Sequence, residues 1–282
     1  MSIRVAVIQM TSGQDRALNL AAAGELLAAA AQQGARLAVL PENFAFLGRS
    51  ETDRMTVAEQ PGDGPAQAFL AQQARELGLW VVGGTLPLQE PGEPRPRAAC
   101  LLYDEHGALV ARYDKIHLFD VGVPDSDENY RESAGTMPGM GAVVAESPLG
   151  RLGLAVCYDV RFPELFRSMS EAGLAAVALP SAFTGPTGRA HWELLVRSRA
   201  VENLACVLAA AQWGEHPGGR RTWGDSMIVN HWGEVLARRR EGVGVVVADL
   251  DLEAQREVRR RFPVLDHRRP VEDLRVRTEK DA

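Results

Sequence analysis

The chain has 282 residues, 46% hydrophobic and 24% charged, a globular balance with ample interior for a core. Its net charge of −6 argues against general nucleic-acid binding, and the runs Arg238-Arg239-Arg240 and Arg259-Arg260-Arg261 read as solvated faces. No apolar stretch reaches the roughly 18 residues of a membrane span, and Cys100, Cys157 and Cys206 form neither a disulfide framework nor a CxxC motif.

Residues 4–9 read as a strand, entered directly with no signal-peptide pattern, so a reducing cytoplasm is the expected location. An alanine- and leucine-rich helix over 16–33 stops at Gly34, and a strand over 37–40 runs into Pro41-Glu42-Asn43. A helix over 66–77 stops at Gly78, ahead of a strand over 80–84. Strands 99–104 and 109–113 flank the turn Glu105-His106-Gly107, and strands 141–146 and 152–157 flank Pro148-Leu149-Gly150-Arg151. Then come a helix over 164–172, a strand over 176–179, a long helix over 191–203 and a strand over 206–211. Strands 226–230 and 235–238 pair across Trp232-Gly233-Glu234, and a strand over 243–249 precedes a helix over 252–260. Crossover helices mixed with hairpins predict an α/β fold of helix-covered sheets. With no linker or repeat, residues 1–274 form one domain, followed by a charged tail over 275–282.

Three polar residues stand where predicted strands give way to loops, the usual place for sites in α/β folds. Glu42 follows Val39-Leu40-Pro41, Lys115 follows Tyr113-Asp114, and Cys157 ends Gly153-Leu154-Ala155-Val156. Pro163-Glu164-Leu165 reads as the first turn of the helix just beyond the cysteine. A free cysteine has a pKa near 8.5, so only about 3% is thiolate at pH 7 and a nucleophilic role needs help. A carboxylate could take its proton. An ammonium, with the N–H of Tyr158, could hold the oxyanion of a tetrahedral intermediate. The plainer reading keeps all three as a core thiol and solvated loop charges.

Leu40-Pro41-Glu42-Asn43-Phe44, Tyr113-Asp114-Lys115-Ile116-His117-Leu118 and Ala155-Val156-Cys157-Tyr158-Asp159-Val160-Arg161-Phe162-Pro163-Glu164 resemble the three catalytic blocks of the nitrilase, or carbon–nitrogen hydrolase, superfamily, in that order. The likeness is greatest to its deaminated glutathione amidase branch, carried also by Glu132-Ser133, Pro180-Ser181-Ala182-Phe183-Thr184, His191-Trp192-Glu193 and His267-Arg268-Arg269-Pro270. The resemblance implies a four-layer α-β-β-α sandwich with mixed sheets and a Glu42-Lys115-Cys157 triad. It also implies a thioester intermediate, no cofactor or metal, and a homodimer or larger homo-oligomer. It further implies a second glutamate after the lysine. Glu132 matches by its Glu-Ser context, while a longer and more acidic 121–131 loop leaves Glu128 as the alternative.

The branch implies a small 2-oxo-acid amide as substrate, which calls for arginine partners. The pool is Arg161, Arg189, Arg197, Arg199, Arg220 and Arg221, with Arg161 nearest the nucleophile in sequence. Asn43, Phe183, Thr184 and Trp213 are further pocket candidates, and Tyr158 contributes through its backbone. An ω-amidase, an N-carbamoyl hydrolase or a nitrilase could use the same triad, and a non-catalytic binding protein on the fold is the remote alternative. No membrane or nucleic-acid partner is expected.

Overall fold

The computed structural model describes residues 2–123 and 128–269, so the 275–282 tail lies outside the described residues. One seven-stranded sheet runs in the order Gly244–Asp251, Ser2–Gln9, Leu37–Val39, Trp80–Val82, Arg97–Tyr103, Leu86–Leu88, with Leu109–Asp114 also paired to Arg97–Tyr103. A six-stranded sheet runs Val235–Arg239, Ser226–Val229, Cys206–Ala211, Ala176–Ser181, Gly150–Leu154, Val143–Ser147. Both mix parallel and antiparallel pairs.

Strand alternation builds the layers. Val5, Val7, Leu37, Val39, Val82, Cys100 and Leu102 point into a core shared with the second sheet's Leu152, Leu154, Val177 and Leu208. Their neighbours Ala6, Ile8, Ala38, Leu40, Val81, Ala99 and Leu101 face the opposite way. There they meet Ala23, Leu27, Ala30, Leu70 and Ala74 from helices Arg16–Gln32 and Pro65–Leu77. Strands buried on both faces must read as continuous apolar runs, as these do. Helices Pro163–Ser170 and Gly185–Asn203 cover the second sheet, with Phe166, Trp192 and Val196 in its core. The result is four layers, α-β-β-α.

Three expectations are corrected. The long helix begins at Gly185, not at residue 191, with Thr184 as its N-cap and Pro186 in its first turn. Gly188 is required there because a Cβ would lie 2.2 Å from Trp223. Residues 121–131 are not all loop, since Asp120–Gly122 pairs with Asn129–Arg131; residues 124–127 lie outside the described residues. The basic runs are not simply solvated. Arg259 donates to the carbonyls of Leu174 and Leu204 at the end of the long helix, and Arg238 pairs with Asp225 and Glu193.

Candidate active site

Glu42, Lys115 and Cys157 each stand just beyond the C-terminal end of a strand, and the fold brings them together in one cleft. All three are buried. Lys115 Nζ donates to Glu42 Oε1 at 2.8 Å and to Glu132 Oε2 at 2.8 Å. Glu132 opens a short 3-10 turn and also accepts from the N–H of Phe119 at 2.8 Å and from Arg54 Nη1 at 3.3 Å. Glu128 instead accepts from the Tyr130 hydroxyl, on the wall of a neighbouring cavity. Of the two glutamates, Glu132 is therefore the one that meets the lysine.

Cys157 is not the last residue of its strand, which ends at Leu154; it opens a 3-10 turn with φ +48°. That left-handed conformation, rare outside glycine, turns the sulfur out of the sheet into the cleft. Asp159, which sequence reasoning passed over, holds this elbow. Its buried carboxylate accepts from the N–H of Val156 at 2.8 Å, the Tyr113 hydroxyl at 2.7 Å and the N–H of His117 at 3.1 Å. His117 Nδ1 lies 2.7 Å from the same carboxylate, so its imidazole is part of the scaffold. The Cys157 and Lys115 segments are thus tied through one acid.

Glu42 is set by its flanks. Asn43 adopts φ +58°, and its N–H donates to Thr85 Oγ1 at 2.9 Å. Gln212 Nε2 donates to the Glu42 carbonyl at 3.0 Å. Gln212, just after the strand Cys206–Ala211, and Thr85, just before Leu86–Leu88, thus act on this segment through backbone atoms from far along the chain.

Burial pushes the Cys157 thiol well above its ordinary value, and the adjacent Glu42 carboxylate adds to the rise. Lys115 and the N–H of Ala182 pull the other way without prevailing. Burial of Lys115 works against its charge, yet Glu132, Glu42 and the Cys157 sulfur outweigh it and hold the amine protonated. Burial likewise works against Glu132 ionisation, but Lys115 and then Arg54 hold it below the usual carboxylate range. At neutral pH the sulfur is a thiol beside a permanent cation, so it must lose a proton to react.

Asn43, Tyr158, Phe183 and Thr184 line the same cleft, joined by Glu51, Arg54, Phe119, Ala182, Thr187 and Arg220. Thr184 doubles as the helix cap. Arg161 is not in the lining; its guanidinium stands over the rings of two residues that are, 5.9 Å from Tyr158 and 5.3 Å from Phe183. Arg197 pairs with Glu193, Arg199 with Glu202, and Arg221 with Glu215, all away from the cleft. Arg189 and Trp213 line a different cavity. Among the described residues no group of three or more His, Cys, Asp or Glu side chains could hold a metal ion. No described helix is long and apolar enough to cross a membrane.

Residues 4–260 match the carbon-nitrogen hydrolase family model, and the chain belongs to that family. It is therefore a hydrolase of carbon–nitrogen bonds. The chain is 40% identical over 271 residues to the deaminated glutathione amidase of Yersinia enterocolitica, covering 96% of this chain and 94% of that protein. It is also similar to Saccharomyces cerevisiae Nit3, a member of branch 10 of the nitrilase superfamily. That structure superimposes with a TM-score of 0.84 at 30% identity, covering 93% of this chain and 94% of that one. A glutamate-to-glutamine mutant of a Nesterenkonia amidase, which carries acrylamide added to its active-site cysteine, superimposes with a TM-score of 0.74. It is 30% identical and covers 92% of this chain and 98% of that one.

Proposed function

We propose that the protein is an amidase that cleaves a small linear 2-oxo-acid amide of the deaminated glutathione type through a thioester on Cys157. The observation that carries this reading is Lys115 Nζ, 2.8 Å from both Glu42 and Glu132, with the Cys157 sulfur facing the same Glu42 carboxylate. The substrate class is supported by the likeness to deaminated glutathione amidases.

In this mechanism Glu42 takes the thiol proton as sulfur attacks the amide carbonyl carbon. Lys115 and the N–H of Tyr158 hold the oxyanion. The C–N bond breaks, the amine leaves with the proton from Glu42, and the acyl group remains on sulfur. Glu42 then deprotonates a water that attacks the thioester, the acid leaves, and the thiol is restored. Glu132 positions Lys115 and keeps it charged beside Glu42.

A cavity of about 550 Å³ shares Asn43, Glu51, Arg54 and Arg220 with the cleft and is large enough for a peptide-like amine. Three free, buried cysteines are in keeping with a reducing cytoplasm. A homodimer or larger assembly is supported by the partly exposed Leu194, Val201, Trp232 and Phe262, with the Trp232 and Phe262 rings in contact. The test is a panel of deaminated glutathione, 2-oxoglutaramate, simple ω-amides, N-carbamoyl compounds and aliphatic nitriles with the purified protein. The expected result is highest kcat/KM for deaminated glutathione. Turnover of nitriles or N-carbamoyl compounds alone would overturn the substrate class.

A further inference from the structure

Arg220 immediately precedes the strand Arg221–Trp223 and forms part of the wall common to the cleft and the larger cavity. Its side chain is only 19% exposed, and Nε is buried with no hydrogen-bond partner among the described residues. Its other nitrogens are lightly engaged. Nη2 donates to the Ala182 carbonyl at 3.3 Å, while Nη1 forms a longer ion pair with Glu51 at 3.6 Å. The guanidinium also stands over the Tyr130 ring at 5.0 Å. A planar group with five N–H donors is thus largely withdrawn from water, with one loose ion pair, one long hydrogen bond and a stacked ring as its partners. A guanidinium this poorly partnered on the wall of a cleft favours a carboxylate on its open side.

The other two cations of the lining differ. Lys115 is occupied by Glu42 and Glu132, and Arg54 by Glu51, Glu132 and Thr136. Arg220 also stands near the chemistry, since the Glu42 carboxylate and the Cys157 sulfur both favour its charge. Ala182 directs its N–H at the Cys157 sulfur and its carbonyl at Arg220, so one residue separates nucleophile from guanidinium. A five-carbon acyl chain extended from the attacked carbon spans about 5 Å, which is the reach the assignment asks of it.

We propose that Arg220 binds the carboxylate of the substrate's acyl half, the 2-oxo-acid end remote from the scissile bond. This rests on the amidase reading above and assigns the acyl-side specificity to Arg220, which lines the cleft, rather than to Arg161, which does not. The test compares wild-type protein with Arg220→Gln and Arg220→Lys on two substrates sharing the cysteinylglycine leaving group. One carries the 2-oxo-acid acyl chain, and the other carries the same chain ending in a neutral primary amide. Arg220→Gln is expected to lower the acid-over-neutral ratio of kcat/KM by roughly 10²-fold, with Arg220→Lys between it and wild type. It should weaken competitive inhibition by free 2-oxoglutarate in parallel. An unchanged ratio in Arg220→Gln, or equal losses on both substrates, overturns the assignment, because a residue that merely supports the cleft moves both together. A wild-type protein with no preference for the acid overturns both the assignment and the 2-oxo-acid reading. If Arg220→Gln does not fold, the ratio and the inhibition constant of Arg220→Lys decide by the same criteria.

Discussion

A lysine ammonium taken out of water stays charged only where carboxylates replace its hydration, and Lys115 has two of them at 2.8 Å. Glu132 gains as much as it gives. Its carboxyl is lowered from 4.5 to about 2 against the pull of burial, chiefly by Lys115 and then Arg54. A depressed folded-state value means the unfolded chain binds the proton more readily. The stabilisation is therefore full above about 4.5 and is lost as pH falls toward 2. Glu132→Gln is expected to melt at a lower temperature at pH 7 and to show a flatter decline between pH 4.5 and 2. It should also lose on the order of 10²-fold in kcat. Melting curves across that pH window check the first part, and an acid limb as steep as wild type would contradict it. Glu42, Lys115 and Cys157 were legible because each follows or ends a predicted strand and sits in a distinctive local motif. Glu51 and Arg54 were not. They lie in and beside a 3-10 turn, Asp53–Val57, with no apolar periodicity to mark it, and their role comes from Glu132 and Arg220 far along the chain.

At the scale of elements, the site depends on two backbone positions in the left-handed region, Asn43 at φ +58° and Cys157 at φ +48°. Asparagine tolerates that region; cysteine does so at a cost of about 1 kcal/mol or more. Cys157→Gly should therefore be more stable than Cys157→Ala by about 1 kcal/mol, although it removes a methyl group from a buried place. Chemical denaturation of the two inactive proteins measures the difference, and a more stable alanine variant would show that the elbow carries no such strain. Sequence patterning extended this strand to residue 157 because Ala155 and Val156 are apolar and buried, whereas pairing with Val143–Ser147 stops at Leu154. The late start predicted for the long helix has a similar cause. Gly185, Pro186 and Gly188 are weak helix formers, but Gly188 is there because Trp223 packs against it.

For the whole molecule, alternation along the strands explains why the layers were legible. Successive residues along the central strands of the first sheet alternate between one core and the other. What periodicity could not give is the relation between the sheets, which determines that Glu42 and Lys115 from one sheet meet Cys157 from the other. Leu194 and Val201, 67% and 48% exposed on the outer helix, lie on the same side as Trp232, 58% exposed, since a Cβ on Gly233 would touch Val201. Such a patch favours association, and sedimentation equilibrium should report a dimer or larger species that Trp232→Glu with Val201→Glu dissociates. A wild-type protein that stays monomeric at micromolar concentration would refute the assembly.

The chemistry itself is tested most directly by peptide mass mapping of protein quenched with acid during turnover of deaminated glutathione. The expected result is an acyl group on Cys157 that hydroxylamine removes, together with no hydrolysis by Cys157→Ala. Turnover with no such adduct, by a Cys157→Ala protein as fast as wild type, would contradict a thioester at this cysteine.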